Sequence, residues 1–316
     1  MQTLQEFSGL PDVSCKMKVL AVVVTFNRVE LLSRCIEYIQ RQKRAPEQIL
    51  VINNGSTDST EQMLVNRGVH CVTQPNLGSA GGWHAGIKYA LDHDFDAVWL
   101  MDDDGFPDPD ALAVLESALL PSVACASSVV LCEDKLDHFV FSFPVLGEEG
   151  FPVILDNPRN FGTLTELRAH AKDGKYPFAH LFNGALISVA AIRNVGNINP
   201  DYFIYGDEVD YFFRLRKAGT VISVLKAKHY HPDVSMRPLT IVKVYYYVKN
   251  SLVLNKMYFN AVWIRHTLLI CSVLGRVGSR NGIGFVLSLL IGRNALVLYS
   301  AIFRGLKGKV GKDFDG

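Results

Sequence analysis

The chain has 316 residues, of which 49% are hydrophobic and 20% charged, and a formal net charge of +1. That length supports one large or two modest domains with a substantial core. Six scattered cysteines (Cys15, Cys35, Cys71, Cys125, Cys132, Cys271) form no CxxC pair, which argues against a disulfide framework or a zinc site and for reduced thiols.

Residues 1–18 lack the basic start and apolar stretch of a secretory signal, and 1–17 read as an N-terminal extension. Val19–Val24 is a buried strand with Thr25-Phe26-Asn27-Arg28 as its exit loop. A helix is expected over 29–43, with Leu31, Leu32, Cys35, Ile36 and Ile39 as its apolar positions. Ile49–Ile52 is the next strand, and Asn53-Asn54-Gly55-Ser56-Thr57-Asp58 is loop and N-cap chemistry for a helix from about Ser59. A short strand over 69–73 follows, then a glycine-rich loop from Asn76 to Gly82 and a helix over 83–93. Ala97–Met101 reads as a fully buried strand that stops at Asp102-Asp103-Asp104. Alternating strands and helices with polar loops at strand carboxyl ends predict an α/β fold that binds its ligand on that edge. Residues 120–180 are less regular, with extra strands and an excursion around 145–175. A second ordered block runs over 182–231, and 240–310 is helical, aromatic and basic.

Three constellations carry chemistry. Adjacent carboxylates at a strand end repel one another unless compensated, and a hard divalent cation bridging to substrate phosphates is one such compensation. An acidic turn ahead of Gly105 and Pro107 is the plainer alternative. In Asn76-Leu77-Gly78-Ser79-Ala80-Gly81-Gly82-Trp83, glycines before a helix allow backbone N–H groups to approach an anion, although a tight turn has the same composition. Asp207 and Glu208, in Tyr205–Arg214, fall at or before the first turn of a helix, where carboxylates cap or, in a cleft, act as a general base. Asp210 is a further capping candidate. His229 and His231 flank a strand-like segment, and His231, fixed by Pro232, is the better candidate to complete a metal shell.

The segments Val22–Arg28, Val51–Asp58, Asn76-Leu77-Gly78 and Asp102–Asp104, in this order and spacing, resemble a family 2 glycosyltransferase of the GT-A fold over about residues 18–235. Asn-Leu-Gly-x-x-Gly-Gly followed by Met-Asp-Asp-Asp resembles the galactofuranosyl- and rhamnosyltransferase branch, which builds bacterial polysaccharide or O-antigen on lipid-linked acceptors. The resemblance implies that Thr25, Arg28, Asn54 and Asp58 hold the nucleoside end of a nucleotide-sugar donor. It implies that Asn76, Gly78, Gly82 and Trp83 line the donor cleft and that Asp103 faces the donor. Asp102 and Asp104, as first and third residues of a DxD motif, would bind Mn²⁺ or Mg²⁺, with His231 completing the shell. The family's second acidic position, its base, falls on Glu208, with Asp207 as the other candidate. Asn53 stands where many members carry an Asp that recognises uracil. The implied reaction is inverting transfer, best read as galactofuranose from UDP-galactofuranose. A dTDP-rhamnose user or a non-catalytic nucleotide-sugar-binding scaffold are the alternatives.

The near-zero net charge hides an asymmetry. From Lys226 onward fourteen basic residues face only Asp233, Asp313 and Asp315. A basic, apolar C-terminal region, 236–316, points to an anionic membrane surface, and it is too apolar for a nucleic-acid partner. Ile264–Leu274 and Gly282–Phe303 are interrupted by polar residues, so in-plane amphipathic helices account for them better than a span. Packing on the catalytic domain or forming a homo-oligomer is compatible with the same pattern. The expected location is cytoplasmic and peripheral on the inner face of the cell membrane.

Overall fold

The computed structural model describes residues 16–153 and 160–314. Most of the expected N-terminal extension, Cys15 included, lies outside the described residues, as do 154–159 within the expected excursion. The chain opens with β1 (Val19–Thr25), α1 (Val29–Gln40), β2 (Gln48–Asn53), α2 (Thr60–Arg67), β3 (His70–Thr73), α3 (Gly78–Asp92) and β4 (Ala97–Asp102). These strands lie parallel in the order β3-β2-β1-β4. β1 is apolar throughout because both faces of the sheet are covered. Leu20, Val22 and Val24 pack with Trp83 and Ile87 of α3, whereas Val19, Ala21 and Val23 pack with Leu32, Ile36 and Ile39 of α1.

Two boundaries differ from expectation. α1 ends at Gln40, three residues early, where the Gln42 side chain turns away to donate to the Asp108 carbonyl and accept from the Leu112 amide. α3 starts at Gly78, five residues early, so the glycines lie inside the helix. Their reason is packing: a Cβ on Gly82 would sit 2.5 Å from Val24 Cγ1, and one on Gly86 2.4 Å from Val22 Cγ1. Side-chain-free positions let α3 lie directly on the sheet, at a helix-propensity cost of about 1 kcal/mol each.

The second half comprises β5 (Phe106–Pro107), α4 (Ala111–Ala118), β6 (Val123–Cys132), β7 (Lys135–Pro144), β8 (Asn160–Thr163), α5 (Leu164–His170), β9 (Lys175–Tyr176), β10 (Asn183–Ser188), α6 (Val189–Val195), a 3₁₀ turn at Pro200–Tyr202, α7 (Asp207–Leu215) and β11 (Thr220–His231). The sheet continues β4-β10-β6-β11-β5. β10 runs antiparallel to both neighbours, and β11 runs parallel to β6. The carboxyl ends of β1, β2, β4, β6 and β11 therefore share one edge, which brings Thr25, Asn53, Asp102 and His231 to a common rim.

Four helices complete the chain: α8 (Ile241–Tyr258), α9 (Val262–Asn281), α10 (Ile283–Leu290) and α11 (Ala295–Leu306). They share a core of Val244, Tyr245, Val248, Val273, Val277, Leu289 and Leu298, which also takes in Phe203 from the loop ahead of α7. No single helix among the described residues is long and apolar enough to cross a membrane; α10 and α11 meet that composition only together, bent by 63°. After α11 the chain returns to the half that holds the sheet. Fully buried Lys249 of α8 donates to the Asp313 carboxylate at 2.5 Å and the Gly311 carbonyl at 2.6 Å, while the Gly311 amide donates to the Asp201 carbonyl at 2.8 Å.

A buried ammonium left without its carboxylate is strongly destabilising, by roughly 3–5 kcal/mol, whereas replacing the whole pair by apolar groups is often near neutral. Asp313→Ala should therefore lower the thermal unfolding midpoint by several degrees. Adding Lys249→Met to it should recover most of that loss.

Candidate active site

The rim is organised around the three carboxylates that end β4. Asp103 is buried and accepts hydrogen bonds from Thr25 Oγ1 at 2.7 Å and Arg28 Nη1 at 2.9 Å. Burial raises its pKa against the pull of Arg28 and Thr25. Asp104 is buried too, and receives Arg28 Nη1 at 2.8 Å, His231 Nε2 at 2.9 Å and Arg237 Nη1 at 3.5 Å. Burial opposes its ionisation, but the hydrogen bond and charge of His231, then Arg28 and Arg237, hold it well below the usual carboxylate range. Asp102 is half-buried, and burial followed by the charges of Asp104 and Asp103 pushes its carboxyl well above the usual range. Its backbone amide donates to the Phe182 carbonyl at 2.7 Å.

Thr25, Arg28, Asp103, Asp104 and His231 are thus brought into direct contact from three strand ends. His231 is oriented by its Nδ1, 2.7 Å from the Pro232 carbonyl, an arrangement that aims Nε2 at Asp104. His229 has a different part. It is fully buried, neither ring nitrogen has a hydrogen-bond partner, and burial takes its pKa down to about 3. A neutral imidazole here fills the space left by Gly105, whose Cβ would lie 2.2 Å from its Nε2.

The other candidates hold the loops around the cleft. Asn54 is buried, donates to the Gly78 carbonyl at 3.0 Å and accepts from Gln74 at 2.7 Å. Asp58 accepts from the Val29 amide at the start of α1 and from Thr60 at the start of α2. The Asn76 side chain accepts from the Gly78 amide at 3.0 Å. Two assignments to the donor cleft need correction. Gly82 faces Val24 and Asn54, as described, and Trp83 is fully buried in the core, stacked on Phe182 at 4.7 Å. Trp83 thereby supports the residue whose carbonyl holds Asp102. The reading of the glycine segment as an open anion cradle is corrected as well. The Gly78 amide is bound to Asn76, and the Ala80 amide donates to the Phe203 carbonyl at 3.1 Å.

α7 brings the second acidic pair to the rim. The loop before it carries positive φ at Phe203, Tyr205 and Gly206, a conformation that costs non-glycine residues of order 1–3 kcal/mol. Asn250 of α8 holds it by donating to the carbonyls of Tyr202, Ile204 and Tyr205 at 2.9, 3.0 and 2.7 Å. Glu208 is 36% exposed, accepts from the Leu181 amide at 2.7 Å and lies 3.8 Å from His180 Nδ1. It is near enough to Asp102 for their charges to interact. Asp207 is 2% exposed, its Oδ2 has no partner, and burial followed by the Glu208 charge raises its pKa to about 7. Asp210 is engaged by Arg214 at 2.8 Å and the Tyr258 hydroxyl at 2.6 Å.

Sequence reasoning missed Arg237, Lys243 and Asn250 as parts of this site. The two cations were visible only as members of the basic C-terminal region, although Arg237 lies six positions beyond His231. Lys243, in the first turn of α8, is held below the usual lysine range by desolvation, then by Arg28 and Arg237. Its position in a helix first turn opposes the macrodipole, so its placement there answers to the site and not to the helix. Among the described residues no three His, Cys, Asp or Glu side chains are arranged as a ready-made metal cage.

Comparison with known proteins accords with this geometry. The Glycosyl transferase family 2 model matches residues 20–142, from β1 through the Asp triplet to β7. The chain belongs to glycosyltransferase family 2 and is a glycosyltransferase. It is similar to galactofuranosyltransferase GlfT1 of Mycobacterium tuberculosis, with 34% identity over 227 residues covering 68% of this chain and 70% of the relative. GlfT1 of Mycolicibacterium smegmatis is 32% identical over 219 residues, with the same coverage. The fold is GT-A. A mannosyltransferase from Pyrobaculum calidifontis, solved with GDP-Man and Mn²⁺, superposes with a TM-score of 0.53 at 14% identity, covering 96% of this chain and 90% of that one. GalNAc-T7, solved with UDP, GalNAc and Mn²⁺, superposes with a TM-score of 0.56 at 14% identity over 79% of this chain and 49% of its own.

A carboxyl with a raised native pKa favours folding most below its unfolded pKa, near 4, and that advantage is lost as pH rises to about 7. The pH-stability curve should carry a decline of up to roughly 4 kcal/mol across this window from Asp207. Asp207→Asn should flatten it, as measured by thermal unfolding at pH 4.5 and pH 8.

Proposed function

We propose that this enzyme transfers galactofuranose from UDP-galactofuranose to a hydroxyl of a lipid-linked saccharide, with inversion at the anomeric carbon. The observation that carries the reading is the pairing on one rim of a carboxylate cluster with Glu208, a half-exposed carboxylate across from Asp102. The likeness to GlfT1 over two thirds of the chain supports the choice of sugar.

The residues fit a divalent metal. Asp102 and Asp104 present hard oxygens, and His231 presents an imidazole already within hydrogen-bond distance of Asp104, a donor set suited to Mn²⁺ or Mg²⁺. Burial, and after it the charges of Asp104 and Asp103, disfavour ionisation of Asp102, a balance that a bound divalent cation would reverse. Asp102, Asp104 and His231 would hold the ion, which when bound supplies positive charge against a diphosphate. Arg28, Arg237 and Lys243 surround Asp104 with further positive charge, placed to bind the donor's phosphates and to favour departure of the nucleoside diphosphate. Thr25 fixes Asp103 at the donor side, while Asn53, Asn54, Asp58 and Asn76 shape the wall of the nucleoside end. The Asn53 side chain already accepts from the Ser56 amide and keeps a buried, unpartnered Nδ2.

Glu208 takes the proton from the acceptor hydroxyl as that oxygen bonds to the anomeric carbon and the sugar–phosphate bond breaks. Charge develops on the ring carbon as in glycoside hydrolysis, and attack from the face opposite the diphosphate inverts the centre. The Leu181 amide, donating to Oε1, fixes the carboxylate for this task. Asp207, deeply buried in the same turn, supports the turn without facing the acceptor. Large apolar side chains exposed on α9, α10, α11 and the turn after α10, among them Trp263, Ile283, Ile291, Leu296 and Phe303, mix with basic residues. This pattern supports peripheral attachment to an anionic leaflet on the cytoplasmic side.

Purified enzyme supplied with UDP-galactofuranose, other UDP-sugars and dTDP-rhamnose should release nucleoside diphosphate only from UDP-galactofuranose when a lipid-linked saccharide is present, and EDTA should abolish turnover. Preference for dTDP-rhamnose would reassign the sugar. Glu208→Gln should lower kcat by roughly 100- to 10,000-fold; if Asp207→Asn does so instead, the base is Asp207.

Arg237→Ala should raise KM for the donor by roughly 10- to 100-fold, equivalent to the ~1.5–3 kcal/mol of one charged hydrogen bond, with a smaller change in kcat. Steady-state kinetics at saturating acceptor reads the split.

A further inference from the structure

Next to the base helix lies a second concavity, of about 310 Å³, between α7, α8 and α9. Its lining is mainly apolar: Val209, Leu254, Phe259, Leu268 and Leu269, with one charged residue, Arg265. Val209 belongs to α7, the helix that also carries Glu208, so one wall of the groove is that helix. Phe259 lies in the turn between α8 and α9, and the helix ends beside that turn carry Met257, Trp263 and Ile264, all more than half exposed. An apolar path therefore leads from α7 to Trp263, the most exposed aromatic side chain among the described residues.

Arg265 has an unusual environment for a guanidinium. Its Nε donates to the Asn260 carbonyl at 3.2 Å, its Nη2 donates to the Pro152 carbonyl at 3.3 Å, and the group lies 4.6 Å from the centre of the Phe259 ring. Among the described residues no carboxylate pairs with it, and burial alone lowers its pKa. A second cation, Arg276, sits 5.5 Å from the ring of Tyr247, which also lines the groove. A desolvated guanidinium held by neutral partners leaves its charge uncompensated, and the planar fork is suited to phosphate oxygens. Apolar walls plus one unpaired guanidinium are complementary to an amphipathic anion.

We propose that this groove binds the phosphate and the adjoining hydrocarbon of the lipid-linked acceptor, with Arg265 on the phosphate and the hydrocarbon against Val209, Leu254, Leu268 and Leu269. The proposal rests on the reading of the acceptor as lipid-linked. It gives the enzyme an acceptor site separate from the donor site at the Asp triplet, with the saccharide directed from the groove toward Glu208. A groove volume of 310 Å³ is at the lower end of small-molecule pockets, which start near ~300 Å³. It therefore suits the head of a long lipid, with the remainder of the chain leaving past Trp263 and Ile264.

The test uses farnesyl diphosphate as the probe, titrated calorimetrically into the full-length enzyme with Mn²⁺ and saturating UDP present to occupy the donor site. Farnesol and inorganic pyrophosphate are run in parallel. Farnesyl diphosphate should bind at least tenfold more tightly than either fragment. Arg265→Gln, which removes the charge, and Ser251→Phe, which fills the groove, should each weaken it at least tenfold without lowering the thermal midpoint, and Arg265→Lys should restore part of the loss. Affinity equal to wild type in both variants, or equal binding of pyrophosphate, would overturn the proposal whatever the enzyme's turnover. Tight, Arg265-dependent binding with no turnover on any lipid-linked saccharide would uphold the groove as a lipid-phosphate site and remove the acceptor reading instead.

Discussion

Mutual repulsion among Asp102, Asp103 and Asp104 is the constraint around which the rest of the molecule is arranged. Three successive carboxylates at the end of a buried strand are tolerable only if positive charge and hydrogen-bond donors arrive from elsewhere in the chain. They come from separate places: Thr25 and Arg28 from the exit of β1, His231 from the end of β11, and Arg237 from the segment leading to α8. Those elements are far apart in sequence and can converge only if the strand ends lie on one edge. The antiparallel insertion of β10 between β4 and β6 preserves that edge while adding the second half of the sheet.

Compensation is uneven, and the unevenness separates the roles of the three residues. Asp104 is held ionised by a surplus of cations, Asp103 is tied to a threonine and an arginine, and the charged form of Asp102 is disfavoured by burial and by its two acidic neighbours. The acidic pair on α7 divides the same way. Asp207 lies in a buried pocket where its charged form is disfavoured, and Glu208 reaches the cleft with a backbone amide fixing one oxygen. Environment, more than residue type, distinguishes the two neighbours.

Much of this was legible in the sequence where local chemistry dictates the outcome. Val19–Val24 and Ala97–Met101 are continuous apolar runs that make sense only as strands covered on both faces, and the polar residues ending them mark the ligand edge. The glycine segment misled because glycine has two uses, approach to an anion and close contact between helix and sheet. Only the tertiary position of Val22 and Val24 decides for the second. Trp83 was attached to the cleft by its place in the motif, but its neighbours in space are core residues. Arg237, Lys243 and Asn250 escaped for a related reason. Each acts across a long stretch of chain, Arg237 on Asp104, Lys243 beside Arg28 and Arg237, and Asn250 on the carbonyls of Tyr202–Tyr205, and no spacing along the sequence records such contacts.

The return of the last described residues to the catalytic half has a consequence for how such a chain can change over time. Gly311 is bonded to Asp201, Lys249 is neutralised by Asp313, and Asn250 holds the carbonyls that lead into α7. The helical end is consequently part of the frame that fixes where Glu208 stands, and it is not a removable appendage. Recombination that exchanged this end with that of a relative would also exchange the support of the turn that carries Glu208. Divergence in the two parts is thereby bound together, and the lineage can alter the helical face only by substitutions that leave the knot around Asp201, Lys249 and Asn250 intact.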